Sequence, residues 1–123
     1  NNGVITATYM MNTTAAATDQ VFFVATRAMK VISCSEVHSA AAGGTSTLQV
    51  VKDTSTDAPG AGTNILTTAF NLASTANTVQ VGALSGTVAT VTLAAGDRLA
   101  VDYADAVQSS TGVAVTCMLT PLS

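Results

Sequence analysis

The sequence is short of charge. Its 123 residues include four Lys or Arg and seven Asp or Glu, so charged residues make up 9% of the chain. A typical soluble domain is about 25% charged. Because charged side chains solvate an exposed surface, their scarcity indicates that on the order of 1,000 Å² of this surface is covered by neighbours. We therefore predict a subunit of an assembly.

Large aromatic side chains are also scarce. Aromatic residues make up 4% of the chain, which has no Trp and two Tyr. The core must therefore be built from Val, Ile, Leu and Met. Sugar-binding surfaces usually present exposed Trp or Tyr. A carbohydrate-binding module is therefore the alternative function, ranked below a structural one.

Two further shortages exclude classes of partner. The four basic residues, Arg27, Lys30, Lys52 and Arg98, are scattered, and the net charge is −3. Nucleic-acid binding needs clustered cations, so we expect no nucleic-acid partner. The longest strongly apolar run, residues 21–25, is far below the roughly 20 residues that span a bilayer, so we expect no membrane partner.

Catalytic motifs are missing as well. Residues 82–86 place glycines around Ser85 without the G-x-S-x-G spacing, and no phosphate-binding glycine motif occurs. We predict no catalytic residue and no cofactor. A hydrolase that uses Asp102, Asp105 or His38 is a remote alternative.

Metal binding is not favoured either. His38 is the single histidine and would share a strand face with Cys34 and Glu36, but a metal site needs three or four converging ligands. The pattern favours a pair of His38 with Glu36 at a surface or subunit contact. Asp102 alternates with apolar strand residues, so a solvated or cation-paired carboxylate is favoured over a bound metal ion.

Cys34 and Cys117 are the two cysteines. A bond between them would close most of the chain into a loop, worth about 4–5 kcal/mol in the chain-entropy model. Two cysteines do not make a disulfide scaffold at this length, so the sequence favours two small buried thiols.

Short β-branched segments separated by Gly, Asn, Asp and Ser predict an all-β fold. We expect a single β-sandwich or jelly-roll-like domain of about eight short antiparallel strands over residues 20–123, preceded by an extended N-terminal arm over residues 1–19. Residues 65–70 fit either a strand or one helical turn. The strands are predicted at residues 21–26, 29–38, 47–52, 78–81, 87–93, 98–103 and 113–119, and residues 5–10 can add an edge strand. Residues 87–103 have the pattern of a hairpin with its turn at residues 94–97.

The arm carries bulky apolar residues in a background of small ones. Tyr9, Met10 and Met11 either close one end of the core or anchor a neighbouring subunit, in which case the arm orders on binding. The sequence leaves these two interpretations open.

Three segments carry a family resemblance: V-I-S-C-S-E-V-H-S from Val31, T-L-Q-V-V-K-D-T-S-T-D-A-P-G-A-G-T-N-I-L-T-T-A-F-N-L from Thr47, and A-A-G-D-R-L-A-V-D-Y from Ala94. With them the chain, from Val21 to Leu119, resembles head decoration (cement) or head-fibre proteins of tailed bacteriophages.

The resemblance implies a non-enzymatic all-β protein that is synthesised in the bacterial cytoplasm and sits as a homotrimer on the outer capsid surface. There it would bind the major capsid protein and clamp adjacent capsomers, with an extended N-terminal segment gripping the shell. Together with the patterns above, it gives six expected capsid or subunit contact residues: Ile5, Tyr9, Met10, Met11, Glu36 and His38.

Overall fold

Ten β-strands and one short helix make up the regular structure of the part of the chain that the computed structural model describes, residues 3–12, 18–104 and 110–122. In chain order they are β1 (Ile5–Met11), β2 (Gln20–Val24), β3 (Met29–Val37), β4 (Thr47–Asp53), β5 (Thr63–Asn64), β6 (Phe70–Asn71), β7 (Gln80–Val81), α1 (Val88–Val91), β8 (Thr92–Leu93), β9 (Arg98–Ala104) and β10 (Val113–Pro121).

The strands form two sheets, each of five strands. Sheet A has the order β1-β10-β3-β7, and β8 also pairs with β3. Sheet B has the order β2-β9-β4-β5, and β6 also pairs with β4. All pairings are antiparallel. The predicted all-β sandwich is confirmed.

Alternating residues of the two sheets build the core between them. β10 buries every second residue from Val113 to Pro121, and Leu48, Val50, Leu99 and Val101 of sheet B face the same interior. Fully burying a Val or Leu side chain contributes roughly 1.5–3 kcal/mol, so this periodicity fixes which face of each strand points inward.

The predicted hairpin over residues 87–103 is wrong, although its turn is present. Gly96 has a φ of +93°, and the Ala94 amide donates to Oδ2 of Asp97 at 2.9 Å. The two arms of the turn join different sheets, since β8 pairs with β3 and β9 pairs with β2 and β4.

Residues 88–91 form a helical turn in place of the predicted strand. Its carbonyls find partners outside a sheet: Lys52 Nζ donates to the Ala89 oxygen at 2.7 Å, and Thr92 Oγ1 donates to the Val88 oxygen at 2.7 Å. This tertiary bond from Lys52 and the local bond from Thr92 override the β-branched sequence. Residues 65–70 are neither strand nor helix, apart from a bridge at Leu66 and the start of β6. The α1 turn is the single helix of the described ranges, and none there could cross a membrane.

The cysteine prediction is corrected, because Cys34 and Cys117 form a disulfide. They lie opposite each other in register on β3 and β10, with their Cα atoms 4.1 Å apart, and both are fully buried. The sequence shows two strand-like segments but not that they are neighbours. The bond links the two central strands of sheet A across 83 residues of sequence.

Residues 5–11 of the predicted arm lie in sheet A as β1, the predicted edge strand, paired along its length with β10. Three stretches lie outside the described residues, namely 1–2 and 13–17 of the arm and 105–109, which includes Asp105.

Candidate assembly surface

The outer face of sheet A is the side that points away from the core. Its cross-strand rows follow from the register: Met10–Ala114–Val37, Thr8–Thr116–Ser35–Val81 and Thr6–Met118–Ser33. Lys30, Ile32 and Thr120 extend it at one end. Among these residues Lys30 alone is charged, and the rest are Thr, Ser, Ala, Val, Ile and Met.

Large apolar side chains are exposed on this face. Val81 is 79% exposed, Met10 69%, Ile32 43% and Met118 39%. Seven-residue strands spaced about 4.8 Å apart give a geometric area on the order of 400 Å². That is about half of what each partner contributes to a standard protein interface, so the face suits a contact that is weak singly.

The outer face of sheet B is covered by the chain itself. Val51 and Ala100 alternate with the core residues Val50 and Val101, yet both are fully buried. The loop between β4 and β5 lies against this side of the sheet, since a Cβ added at Gly60 would be 3.1 Å from the Val101 oxygen and 3.2 Å from Cβ of Asp102.

Two charged side chains hold this loop down. The fully buried Asp53 carboxylate accepts the amides of Gly60 and Gly62, both at 3.0 Å. The Arg98 guanidinium donates to the carbonyls of Ser55 and Asp57, both at 3.2 Å. These two charged side chains therefore form hydrogen bonds with backbone groups of the loop.

The predicted pair of His38 with Glu36 is confirmed, but its predicted surface position is wrong. The His38 side chain is 0% exposed and Glu36 is 1% exposed. His38 Nδ1 lies 2.9 Å from Glu36 Oε2, and Gln80 Nε2 donates to Glu36 Oε1 at 2.6 Å. His38 Nε2 lies 2.8 Å from the Ser74 carbonyl oxygen.

The partners of His38 fix one hydrogen of its ring. A carbonyl only accepts, so Nε2 of His38 carries a hydrogen and donates it to Ser74. The second ring nitrogen, Nδ1, is hydrogen-bonded to Glu36. The network ties β3 to β7 and to the loop at Ser74, which makes it a structural element. No three potential metal-ligating side chains converge within the described ranges.

A second polar cluster joins β1 to β9. The Tyr9 and Tyr103 hydroxyls are 2.7 Å apart, and Asp19 Oδ1 accepts the Tyr103 amide at 2.9 Å. Burial raises the pKa of both tyrosines, and the hydrogen bond to Tyr9 adds to the increase at Tyr103. Burial, followed by the charge of Asp19 and a hydrogen bond shared with it, raises the pKa of Asp102. Asp102 therefore lies beside other carboxylates rather than a cation.

The six expected contact residues do not lie on one common surface. Tyr9 and Met11 are buried in the core, so for these two the core interpretation holds. Ile5 is half-buried against the core, and Glu36 and His38 are inside the domain. Met10 alone of the six projects onto the outer face of sheet A.

The other residues of that face were missed in the sequence. Thr8, Thr116, Ser35 and Val81 carry no chemical motif, and they become a surface only when four segments distant in sequence pair. The available signal was that residues 5–11 and 113–121 contain no charge at all.

A groove of about 290 Å³ lies beside β3 and α1. It is lined by Lys30, Val31, Ile32, Leu84, Ser85, Gly86, Val88 and Val91. Ser85 Oγ accepts the Thr87 amide at 3.2 Å, and no histidine, carboxylate or aromatic ring lines the groove. It therefore lacks both a general base for Ser85 and a stacking platform for a sugar.

No protein-family model matches the chain, and no curated protein or solved structure is detectably similar to it. The functional conclusion therefore rests on the surfaces described above and on the resemblance carried by residues 31–103.

Proposed function

We propose that this chain is a capsid decoration (cement) protein, a non-catalytic subunit that binds the outer surface of a tailed-phage head as a trimer and stabilises the contacts between capsomers. The observation that supports this most is the nearly uncharged outer face of sheet A. A face of Thr, Ser, Ala, Val, Ile and Met is suited to burial against another protein, because Lys30 at one end is the one charge of the named residues that would be desolvated.

A weak single contact is sufficient for such a role. The outer face of sheet A is smaller than a standard interface, so one copy would bind loosely. A trimer presents three such contacts at once, and the second and third bind at a high effective concentration. Many weak contacts distributed over a shell resist internal pressure without any strong site.

The disulfide fits a place on the virion surface. Disulfides persist in oxidising surroundings and are rare in a reducing cytoplasm. A protein made in a bacterial host and carried on the outside of a released particle meets oxidising conditions after release. The Cys34–Cys117 bond would then form, or become permanent, once the particle has left the cell.

The alternative, a carbohydrate-binding or host-attachment module, has less support. The two tyrosines of the chain bind each other through their hydroxyls, and Tyr9 is 3% exposed. Neither ring forms an open platform, and no Trp is present. A saturable signal on a glycan array would favour this alternative.

The proposal is tested with purified protein and heads of the encoding phage from which this protein is missing. At low protein concentration we expect the free protein to sediment as a trimer, and we expect it to co-sediment with expanded heads. Thr116→Asp places a charge in the central row of the outer face of sheet A. Thr63→Asp makes the same change on the exposed β5 of sheet B.

Thr116→Asp should abolish head binding while Thr63→Asp binds like the wild type. A protein that never binds heads, or equal binding by both variants, would overturn the proposal. Circular dichroism of both variants separates a lost contact from a lost fold.

A further inference from the structure

β1 is an edge strand whose outward main-chain groups can be identified. The Gly82 amide donates to the Cys34 oxygen at 2.8 Å, so this carbonyl points towards β7 and away from β10. Cys34 and Cys117 are therefore a non-hydrogen-bonded pair, in agreement with their short Cα distance of 4.1 Å.

The opposite side of β10 then bonds to β1. The amide and carbonyl of Cys117 point towards Ala7, its partner in register, and the same holds for every second residue of β1. The main-chain groups of Thr6, Thr8 and Met10 consequently point away from β10. None of these groups has a partner among the residues that the structure describes.

The edge of β1 differs from the other sheet edges. β7 and β5, which end the two sheets on the far side, are two residues long each, and the pairing of β2 with β9 contains a register shift between Val21 and Phe23. β1 has seven residues in unbroken register with no charge and no proline. Natural edges are usually shortened, bulged or charged to prevent pairing, and β1 has none of these features.

We propose that β1 pairs with β1 of a second copy of this chain, antiparallel and about a two-fold axis at Thr8. Only an extended strand offers donors and acceptors at the spacing of Thr6, Thr8 and Met10. In this register Thr8 faces Thr8 of the second copy, Thr6 faces Met10 and Ala7 faces Tyr9.

The strand is complementary to itself in this arrangement. Thr6 lies opposite the larger Met10 and Ala7 opposite the larger Tyr9, and Thr–Thr is a favourable cross-strand pair. A charged residue on the axis would face its own copy and be repelled, and β1 carries none. These two properties select a second copy over an unrelated strand.

The pairing joins two four-strand runs into one continuous sheet, and the outer faces of sheet A merge into one surface of twice the area. The contact needs no shell and goes beyond the proposed function. Within a trimer a two-fold contact cannot close on itself, so it would link a subunit of one trimer to a subunit of the next.

Two proline substitutions test the pairing, one at a residue of β1 whose amide points away from β10 and one at a residue whose amide points towards β10. Thr8→Pro removes an amide that has no partner within the described chain, and so should leave the fold intact. Ala7→Pro removes an amide that bonds to β10, and so should destabilise the domain. The measurements are the assembly mass by sedimentation equilibrium and the melting temperature, both on purified protein without heads.

At high protein concentration we expect wild-type assemblies with an even number of copies, in which trimers are linked in pairs, and a Thr8→Pro assembly of half that mass with an unchanged melting temperature. A wild-type protein that is only monomeric or trimeric, or a Thr8→Pro variant of unchanged mass, would overturn the inference. Should Thr8→Pro not fold, Thr8→Lys places like charges on the axis and should weaken pairing about tenfold or more at low salt.

Amide hydrogen exchange gives an independent readout. The amides of Thr6, Thr8 and Met10 should become protected as protein concentration rises, while that of Ala7 is protected throughout. Protection of all four amides that does not depend on concentration would contradict pairing between copies. Because no heads are present, a failure here leaves the test of the proposed function unaffected.

Discussion

The outer faces of the two sheets differ in whether the chain itself covers them. Sheet B is covered by its own β4–β5 loop, which Asp53 and Arg98 hold in place through four hydrogen bonds. Sheet A leaves Val81, Met10, Ile32 and Met118 exposed. Asp53 and Arg98 stabilise the cover of sheet B, whereas Lys30 is the one charged residue among those named on the outer face of sheet A.

This contrast shows where the shortage of charged residues matters. An apolar surface is costly to leave in water, and the cost is removed when another part of the chain or another molecule covers it. On sheet B the loop supplies the cover. On sheet A the cover must come from another molecule, which is why we assign the contacts of the assembly to that side.

The largest expected effect concerns the bond that holds sheet A together. Replacing both Cys34 and Cys117 by Ala removes a crosslink that spans 83 residues, and should lower the free energy of unfolding by about 4 kcal/mol. Urea denaturation measures this. A reducing agent should destabilise the wild type equally and leave the variant unchanged. Free thiols in the unreduced wild type would contradict the prediction.

The second effect concerns the loop that covers sheet B. A Cβ at Gly62 would collide with the Lys52 carbonyl oxygen. Gly62→Ala should therefore destabilise the protein by about 3 kcal/mol. Gly86→Ala, where a Cβ meets nothing within 4 Å, is the matched control and should change stability by less than about 0.5 kcal/mol. Equal melting curves for the two variants would show that the loop is not seated on the sheet.

The third effect lies between the sheets, in the buried Glu36 network. Glu36→Ala leaves His38 and Gln80 without their shared acceptor and should cost about 2 kcal/mol. Glu36→Gln can still accept from Gln80 and can donate to Nδ1 of a neutral His38, so it should recover most of the loss. If thermal melts show Gln to be as damaging as Ala, the hydrogen-bond account of the network is wrong.

The smallest effect is a pH dependence on sheet B. The pKa of Asp102 is raised above its ordinary 3.8, so the native state binds more protons than the unfolded state just above that pH. Stability from this group is therefore present at low pH and is lost as pH rises through the folded pKa.

Asp102→Asn should remove this loss. The variant should be more stable than the wild type at neutral pH, by less than about 1 kcal/mol since the group is partly exposed. The difference should shrink towards pH 4, and a difference that grows there would contradict the cause assigned to the shift. Melting temperatures across that pH range measure it.

Some of these features were predictable from the sequence and some were not. The patterns of residues 29–38 and 113–119 predict strands, and the Gly96–Asp97 turn follows from local chemistry. The partners of a strand depend on contacts far along the chain. Alternation alone therefore could not place Cys34 against Cys117, separate β8 from β9, or bury His38.

The candidate surface shows the same limit. The shortage of charge indicates that a covered face exists, but its position appears only when β1, β10, β3 and β7 are side by side. Bulky residues were the natural guide to contacts, and two of them, Tyr9 and Met11, are in the core.

The four methionines of the chain allow the most direct test of the central claim. Met10 and Met118 lie on the outer face of sheet A, whereas Met11 and Met29 are each 2% exposed. Oxidation by hydrogen peroxide, read by mass spectrometry, compares the free protein with protein bound to heads. The account predicts that Met10 and Met118 oxidise quickly when free and slowly when bound, while Met11 and Met29 are slow in both. Rapid oxidation of Met10 and Met118 in the bound protein would contradict it.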